Sequence, residues 1–401
     1  IPIEYSKYSK TFENDIKKWR NYVNNVYIWD YTVNFDNYFD LYPSIRVTQQ
    51  NLKLYKRLGV NGVFLHGSEY NYSIFQDLKA TLFSKLLWNT STDIDAEINA
   101  YFHEKFPNKL AGALANYYTF VDNSFIISKK ELSIYSGIHQ SIEKYLDPKV
   151  FFSFYEEFDS NTEKNKYDKE FLKIGTALTF LKLEIMRDNG IGTYGYATLN
   201  NNQEIIVKNE AALLLDRLTA FSKSSNLKTY NEINYTIEDY VKSWKQTIFR
   251  SHKRKNYFYK KPFKVVSELD EDYTDISMLN DAAFGLKDYN TNWLICSVDG
   301  LSLKIDKEQI KGSKKITLSF LQDTKHAIYY PSVIEILDTN YKVVKKLKVT
   351  FDDTDLGTRE LTLDLPTQFD DEKLPNTFIL KITKSNTEGK NALACDEIIF
   401  N

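Results

Sequence analysis

The sequence predicts a multidomain chain that runs α/β, then α, then β, with breaks near residues 90 and 260. Three observations carry that reading. Short apolar runs at 26–31 and 60–65 each lie beside stretches with apolar residues at helical spacing, the pattern of βα units. From about 91 to 255 the spacing is helical throughout. After Lys260-Lys-Pro262 apolar and polar residues alternate in short runs divided by turn-forming clusters, as in a β-sandwich.

Taken in order, Phe12, Ile16, Trp19 and Val23 mark an amphipathic helix over 11–24. Residues 26–31 read as a strand, and 32–43 as a loop crowded with Asn, Asp, Phe and Tyr. Leu52, Tyr55 and Leu58 mark a second helix, stopped by Gly59. Residues 60–65 then read as a strand covered on both faces, broken at Gly67. Leu78, Leu82 and Leu86, widened by Phe75, Phe83 and Leu87, give the next helix, and Trp88 is assigned to its core. Two parallel strands cannot close a barrel, so the rest of such a barrel is expected outside this sequence or on another chain.

A capping start at 92–97 opens the helical domain, with further helices near 109–127, 149–160, 166–189, 203–223 and 236–250. Strands are expected at 315–320, 332–337, 343–351, 360–365, 377–382 and 394–400. The run at 270–275 reads as a solvated linker into the sandwich.

Bulk composition narrows the function classes. The formal charge of the 401 residues is −2, without a long basic or acidic block, which argues against nucleic acid or an anionic membrane as the main partner. No apolar run reaches the roughly 18 residues of a membrane span. Two cysteines, Cys296 and Cys395, exclude a Cys-rich metal site and leave either one bridge or two buried thiols. No phosphate-binding glycine loop, His-Glu-x-x-His pair or nucleophile elbow occurs; Ser68 lacks the second half of that elbow.

Two stretches carry a resemblance. Gly59-Val-Asn-Gly-Val63, His66-Gly67, Lys85-Leu-Leu-Trp-Asn89, Asp93 and the helix ending at Phe106, together with Trp29-Asp30-Tyr31, resemble the last βα units of an α-glucuronidase-like branch of bacterial glycoside hydrolases, related also to β-N-acetylhexosaminidases. Leu279-Asn-Asp281, Trp293, Leu318 through Asp323 and Tyr330-Pro331 are similar to the galactose-binding-like sandwich appended to many such enzymes. The chain departs from the first pattern at Lys105-Phe-Pro-Asn108. The resemblance implies the C-terminal part of a (β/α)8 TIM barrel at 1–90, an α-helical domain at 91–260 and a galactose-binding-like β-sandwich at 261–401. It further implies a carbohydrate partner and a periplasmic, cell-surface or secreted location. The family's acid and base carboxylates lie on earlier strands, so no residue here inherits those roles.

Within this chain the carboxyls nearest strand ends are Asp30 and Glu69, with Asp36 in the loop between. In α/β barrels that edge carries the active site. Neighbouring strands lie about 4.8 Å apart, and glycoside hydrolysis needs two carboxyls about 5–9.5 Å apart. Asp30 and Glu69 are therefore the candidate catalytic pair, with loop capping or sugar contact as the alternative. His66 is a candidate hydrogen-bond partner for a hydroxyl, or a structural residue beside an apolar strand. Trp29, Tyr31 and Tyr70 are candidate platforms for a pyranose ring. No cofactor is expected beyond a structural calcium at Asp281, which the sandwich resemblance implies and an oxygen-rich loop can hold. The rival reading is a non-catalytic carbohydrate-binding or scaffold protein.

Overall fold

The computed structural model describes residues 1–401 except 272, 291, 299, 353, 367–372, 386–388 and 390. The chain forms two compact units: Ile1–Ile185 with Leu213–Glu238, and Met186–Ala212 with Asp239–Asn401. The breaks expected near 90 and 260 are not where these units divide. The βα segment and most of the helices share the first unit, while residues 186–212 and 239–260 join the sandwich.

In the first unit, α1 (Ser9–Trp19), β1 (Tyr27–Tyr31), α2 (Ile45–Arg57), β2 (Gly62–His66) and α3 (Gln76–Trp88) follow in the expected order. The strands pair in parallel, Tyr27 opposite Gly62 through Tyr31 opposite His66. Gly59 at φ +71° ends α2 in the left-handed region that glycine adopts freely. Among the described residues no third strand joins this sheet, so the chain shows two parallel strands and no closed barrel.

Three packing expectations are corrected. β2 is not covered on both faces: Phe64 is 54% exposed, as is much of Trp29 and Tyr27 on β1. Of the α1 stripe only Ile16 is buried, while Trp19 and Val23 are exposed. Trp88 is 94% exposed rather than core. Leu78, Leu82 and Leu86 are fully buried, and a residue two beyond Leu86 points to the other side of the helix.

Helices α4 (Ile94–Lys105), α5 (Asn108–Ser128), α6 (Ile138–Lys144), α7 (Pro148–Asp159), α8 (Thr162–Asn165), α9 (Lys169–Asp188), α10 (Asn209–Ser225) and α11 (Ile237–Thr247) follow. Asp93 caps α4 by accepting from Ala96 N–H, and Asp147 caps α7 at Val150. Stacked rings fill the first unit: Tyr117 on Phe154 at 4.0 Å, and Phe158 on Phe171 at 4.5 Å.

The second unit holds a short hairpin, β3 (Ala197–Leu199) with β4 (Ile205–Val207), which the sequence reading had placed inside or beside a helix. Its nine remaining described strands are β5 (Lys264–Val265), β6 (Leu294–Cys296), β7 (Leu301–Asp306), β8 (Lys315–Gln322), β9 (Val333–Leu337), β10 (Val343–Lys348), β11 (Gly357–Asp364), β12 (Thr377–Thr383) and β13 (Leu393–Phe400). They form one sheet in the order β10-β9-β12-β7-β5 and another in the order β11-β8-β13-β6, with their pairs antiparallel. Leu303, Ile305, Leu318, Phe320, Leu380 and Phe400 belong to one buried core. β5, β6 and β7 are the strands the sequence reading missed. Cys296 and Cys395 are free and buried, so the bridge alternative falls away. Burial pushes the Cys296 thiol up to about 12. Of the 270–275 run, residue 272 lies outside the described residues, and Asp270 accepts from Ser297 N–H at 2.6 Å. No described helix is long and apolar enough to cross a membrane.

Candidate functional site

The site lies in the first unit, at the C-terminal ends of β1 and β2. Strand side chains alternate between faces, and the register sets Trp29 opposite Phe64 and Tyr31 opposite His66. Those four therefore share one face. Four rings surround the His66 imidazole, with centroids 5.1 Å (Phe35), 5.6 Å (Trp29 and Tyr31) and 5.8 Å (Phe64) away. His66 Nε2 lies 3.5 Å from Glu69 Oε1. Its Nδ1 is buried without a hydrogen-bond partner. A cleft of about 650 Å³ opens here, lined by Trp29, Phe64, His66, Ser68, Glu69 and α3 residues including Gln76, Asp77 and Lys79.

The expected carboxylate pair is not assembled. Asp30 stands opposite Leu65 on the other strand face, and its Oδ2 accepts from Tyr55 Oη (3.1 Å) and Asn51 Nδ2 (3.5 Å) on α2. Its Oδ1 accepts from Tyr31 N–H at 2.9 Å. Burial, then the Asp30 charge, pushes the Tyr55 hydroxyl far above the usual range, so it stays a donor. The physical reason is the two-residue period: a residue between Trp29 and Tyr31 faces away from both. Glu69 does sit on the cleft, in the left-handed region at φ +55°. Such a backbone costs about 1–2 kcal/mol for an L residue. Tyr70 is fully exposed. Asp36 is half-buried in the 32–44 loop, its N–H donating to Asn34 Oδ1 at 3.1 Å.

Residues remote in sequence complete the rim. Phe35 N–H donates to Ile134 O at 2.8 Å, Glu232 N–H to Phe35 O at 3.0 Å, and Tyr38 N–H to Tyr230 O at 2.7 Å. These bonds bring Tyr135 and Glu232 beside the loop, with Tyr135 Oη donating to Glu232 at 3.0 Å. Burial, then Glu232 and Glu69, raises the Tyr38 hydroxyl well above its ordinary value. No periodicity in the sequence flagged Tyr38, Tyr135 or Glu232.

Beneath the rim lies a charged layer that the sequence reading also missed. Asp40 is buried and accepts from Asn34 Nδ2 (3.0 Å), Ser141 Oγ (3.1 Å) and Tyr145 Oη (2.6 Å). Burial raises its carboxyl despite those donors. Asp122 on α5 is buried 3.2 Å from Arg46 Nε; burial outweighs that partner and holds its carboxyl at about 6. Lys79 is buried as well and its amine is lowered to about 8 by burial, with Asp40 and Asp122 opposing the shift. A signal for it existed. Phe75, Lys79 and Phe83 lie four apart, which sets the lysine on an apolar stripe.

In the second unit, Asp281 is mostly buried and its carboxyl is pushed up by burial and by Asp188, Asp396 and Asp275. Its Oδ1 accepts from Ala283 N–H at 2.8 Å. Asp396 and Glu397 fall in a β-bulge of β13 and accept from Gly285 N–H (2.6 Å) and Ala282 N–H (2.9 Å). The three carboxylates thus close one turn by hydrogen bonds. Among the described residues, no group of three or more His, Cys, Asp or Glu side chains is arranged to hold a metal ion. The acidic side chains alone do not make the calcium cage.

A family model described as a domain of unknown function (DUF4838) matches residues 1–119. That span contains both strands and the cleft. No curated protein matches. Among solved structures, a Streptococcus pneumoniae fucose-binding module, SpX-3, is 16% identical, covers 36% of this chain and 96% of its own, with a TM-score of 0.25. The lectin domain of lectinolysin complexed with Lewis B antigen is 10% identical over 37% of this chain and 96% of its own, at 0.26. A family GH115 4-O-methyl-α-glucuronidase with specificity for decorated arabinogalactans is 9% identical over 89% of this chain and 48% of its own, at 0.30. At these scores the likenesses fix neither ligand nor activity.

Proposed function

We propose that this chain binds carbohydrate at the β1–β2 rim, with Trp29, Tyr31 and Phe64 as ring platforms and the His66–Glu69 pair as the polar contact. The observation that carries the reading is the imidazole set among four aromatic rings, 3.5 Å from a carboxylate, at the ends of paired parallel strands. Aromatic faces match the apolar faces of pyranoses, and a few placed polar groups orient them. The location that suits such a partner is periplasmic, cell-surface or secreted.

Glycosidic hydrolysis is the finer proposal. It is supported by the exposed Glu69 carboxylate on the cleft, and it needs a second carboxyl other than Asp30. Calorimetry against neutral, N-acetylated and uronate-containing oligosaccharides tests binding. Trp29→Ala is expected to weaken the best ligand by about tenfold, a loss of roughly 1.4 kcal/mol, as for an aromatic stacking platform. Reducing-sugar release abolished by Glu69→Gln supports hydrolysis; binding without release leaves a binding protein. No binding by any member of the panel would defeat both.

A calcium ion at Asp281 is a separate proposal, supported by its crowded, buried carboxyl. Excess calcium is expected to raise the melting temperature of the second unit, and a chelator to lower it. Identical melting in calcium and chelator would exclude it.

A further inference from the structure

We propose that Lys79 is the positioning residue of this site, one buried ammonium that anchors both ends of the 32–44 loop and so fixes the strand end beside His66. Its Nζ donates to Thr32 O at 3.2 Å and to Tyr42 O at 3.1 Å. Those carbonyls are the two ends of the loop, one just after β1 and one just before α2. Thr32 passes the restraint on: its N–H and Oγ1 both donate to His66 O, at 3.0 and 2.9 Å. Ser44 Oγ is a second donor to Thr32 O, at 2.9 Å.

The loop so anchored is a packed plug rather than a solvent loop. Val33, Phe35 and Tyr38 form a buried cluster with Ile134 against it. An apolar residue would satisfy the stripe that Lys79 occupies, and burying an ammonium is costly unless it is paired and hydrogen-bonded. The retained charge is answered by Asp40 within the loop and by Asp122 on α5, which is itself shared with Arg46 of α2. Charge-assisted bonds of this kind are about twice as strong as neutral ones.

The anchoring role stands on these contacts alone; only its purpose rests on the carbohydrate reading. Lys79→Met keeps length and removes the donors. By amide hydrogen exchange without any sugar, residues 32–44 and 66–69 are expected to exchange about tenfold faster or more, with α7 unchanged. Unchanged exchange in 32–44, or a uniform rise across all helices, would overturn the proposal. Should the variant not fold, native-state acetylation of the wild-type protein serves. Lys79 is expected to label with the same urea dependence as exchange in 32–44. Labelling as fast as surface lysines, or only on global unfolding, would overturn it. Affinity for the best oligosaccharide of the panel is then compared between wild type and Lys79→Met. Loss of affinity supports the positioning role, and equal affinity with an opened loop refutes it. A wild-type protein that binds no oligosaccharide sinks the carbohydrate reading and leaves the anchor to be judged by exchange alone.

Discussion

Asp122 shows how a single side chain reports on the charged layer. Its carboxyl titrates near 6 in the folded chain and near 3.8 when solvated, because burial outweighs the Arg46 guanidinium. The folded form thus binds a proton that the unfolded form has already released between about pH 4 and 6. Stability from this group is fully present below about pH 4 and is lost as pH rises through 6, by about 3 kcal/mol. Asp122→Asn removes the titration. Its unfolding free energy, from urea curves at pH 4 and 7, is expected to fall by about that much less than the wild type's; parallel slopes would contradict the burial argument. Asp30 teaches the reverse lesson at the same scale. Its identity and its place at a strand end were legible, yet its direction was legible too. The alternation that exposes Trp29 and Tyr31 turns the residue between them toward Tyr55 and Asn51.

Among elements, the βα units were the most legible part. A glycine stop at residue 59, two short apolar runs and a stripe of leucines four apart fixed order, type and parallel pairing. What failed was coverage. Periodicity says which face is apolar, not whether anything lies on it, so Phe64 and Trp88 were assigned to interiors they do not occupy. The short strands β3 to β6 escaped because segments of two or three residues give too few positions to show a period, whereas β7 alternates Leu301, Leu303 and Ile305 with polar residues and was legible. In the helical part, packing is close enough to be tested by one methyl group. A Cβ on Gly175 would come within 2.7 Å of the Phe221 ring and 3.5 Å of Phe158. Gly175→Ala is expected to destabilise the first unit by about 1–3 kcal/mol in urea unfolding, despite the better helix propensity of alanine. A stabilised variant would mean that the rings yield without cost.

On the scale of the whole molecule, the sequence separated helical from β regions but not the units themselves. Residues 186–212 and 239–260 look helical or irregular locally and yet belong with the sandwich. Hydrogen bonds between residues about a hundred or more apart, such as Tyr135 to Glu232, do the assembling of the rim, and one sequence carries no trace of them. The carbohydrate reading therefore rests on the assembled rim rather than on any one motif. Its most direct test follows the side-chain resonances of His66 and the Trp29 indole N–H by NMR while the best oligosaccharide of the panel is added. Both are expected to shift together and saturate at one dissociation constant, with Trp88 and His326 still. Saturable shifts confined to residues of the second unit, with His66 and Trp29 unmoved, would contradict a sugar site at this rim.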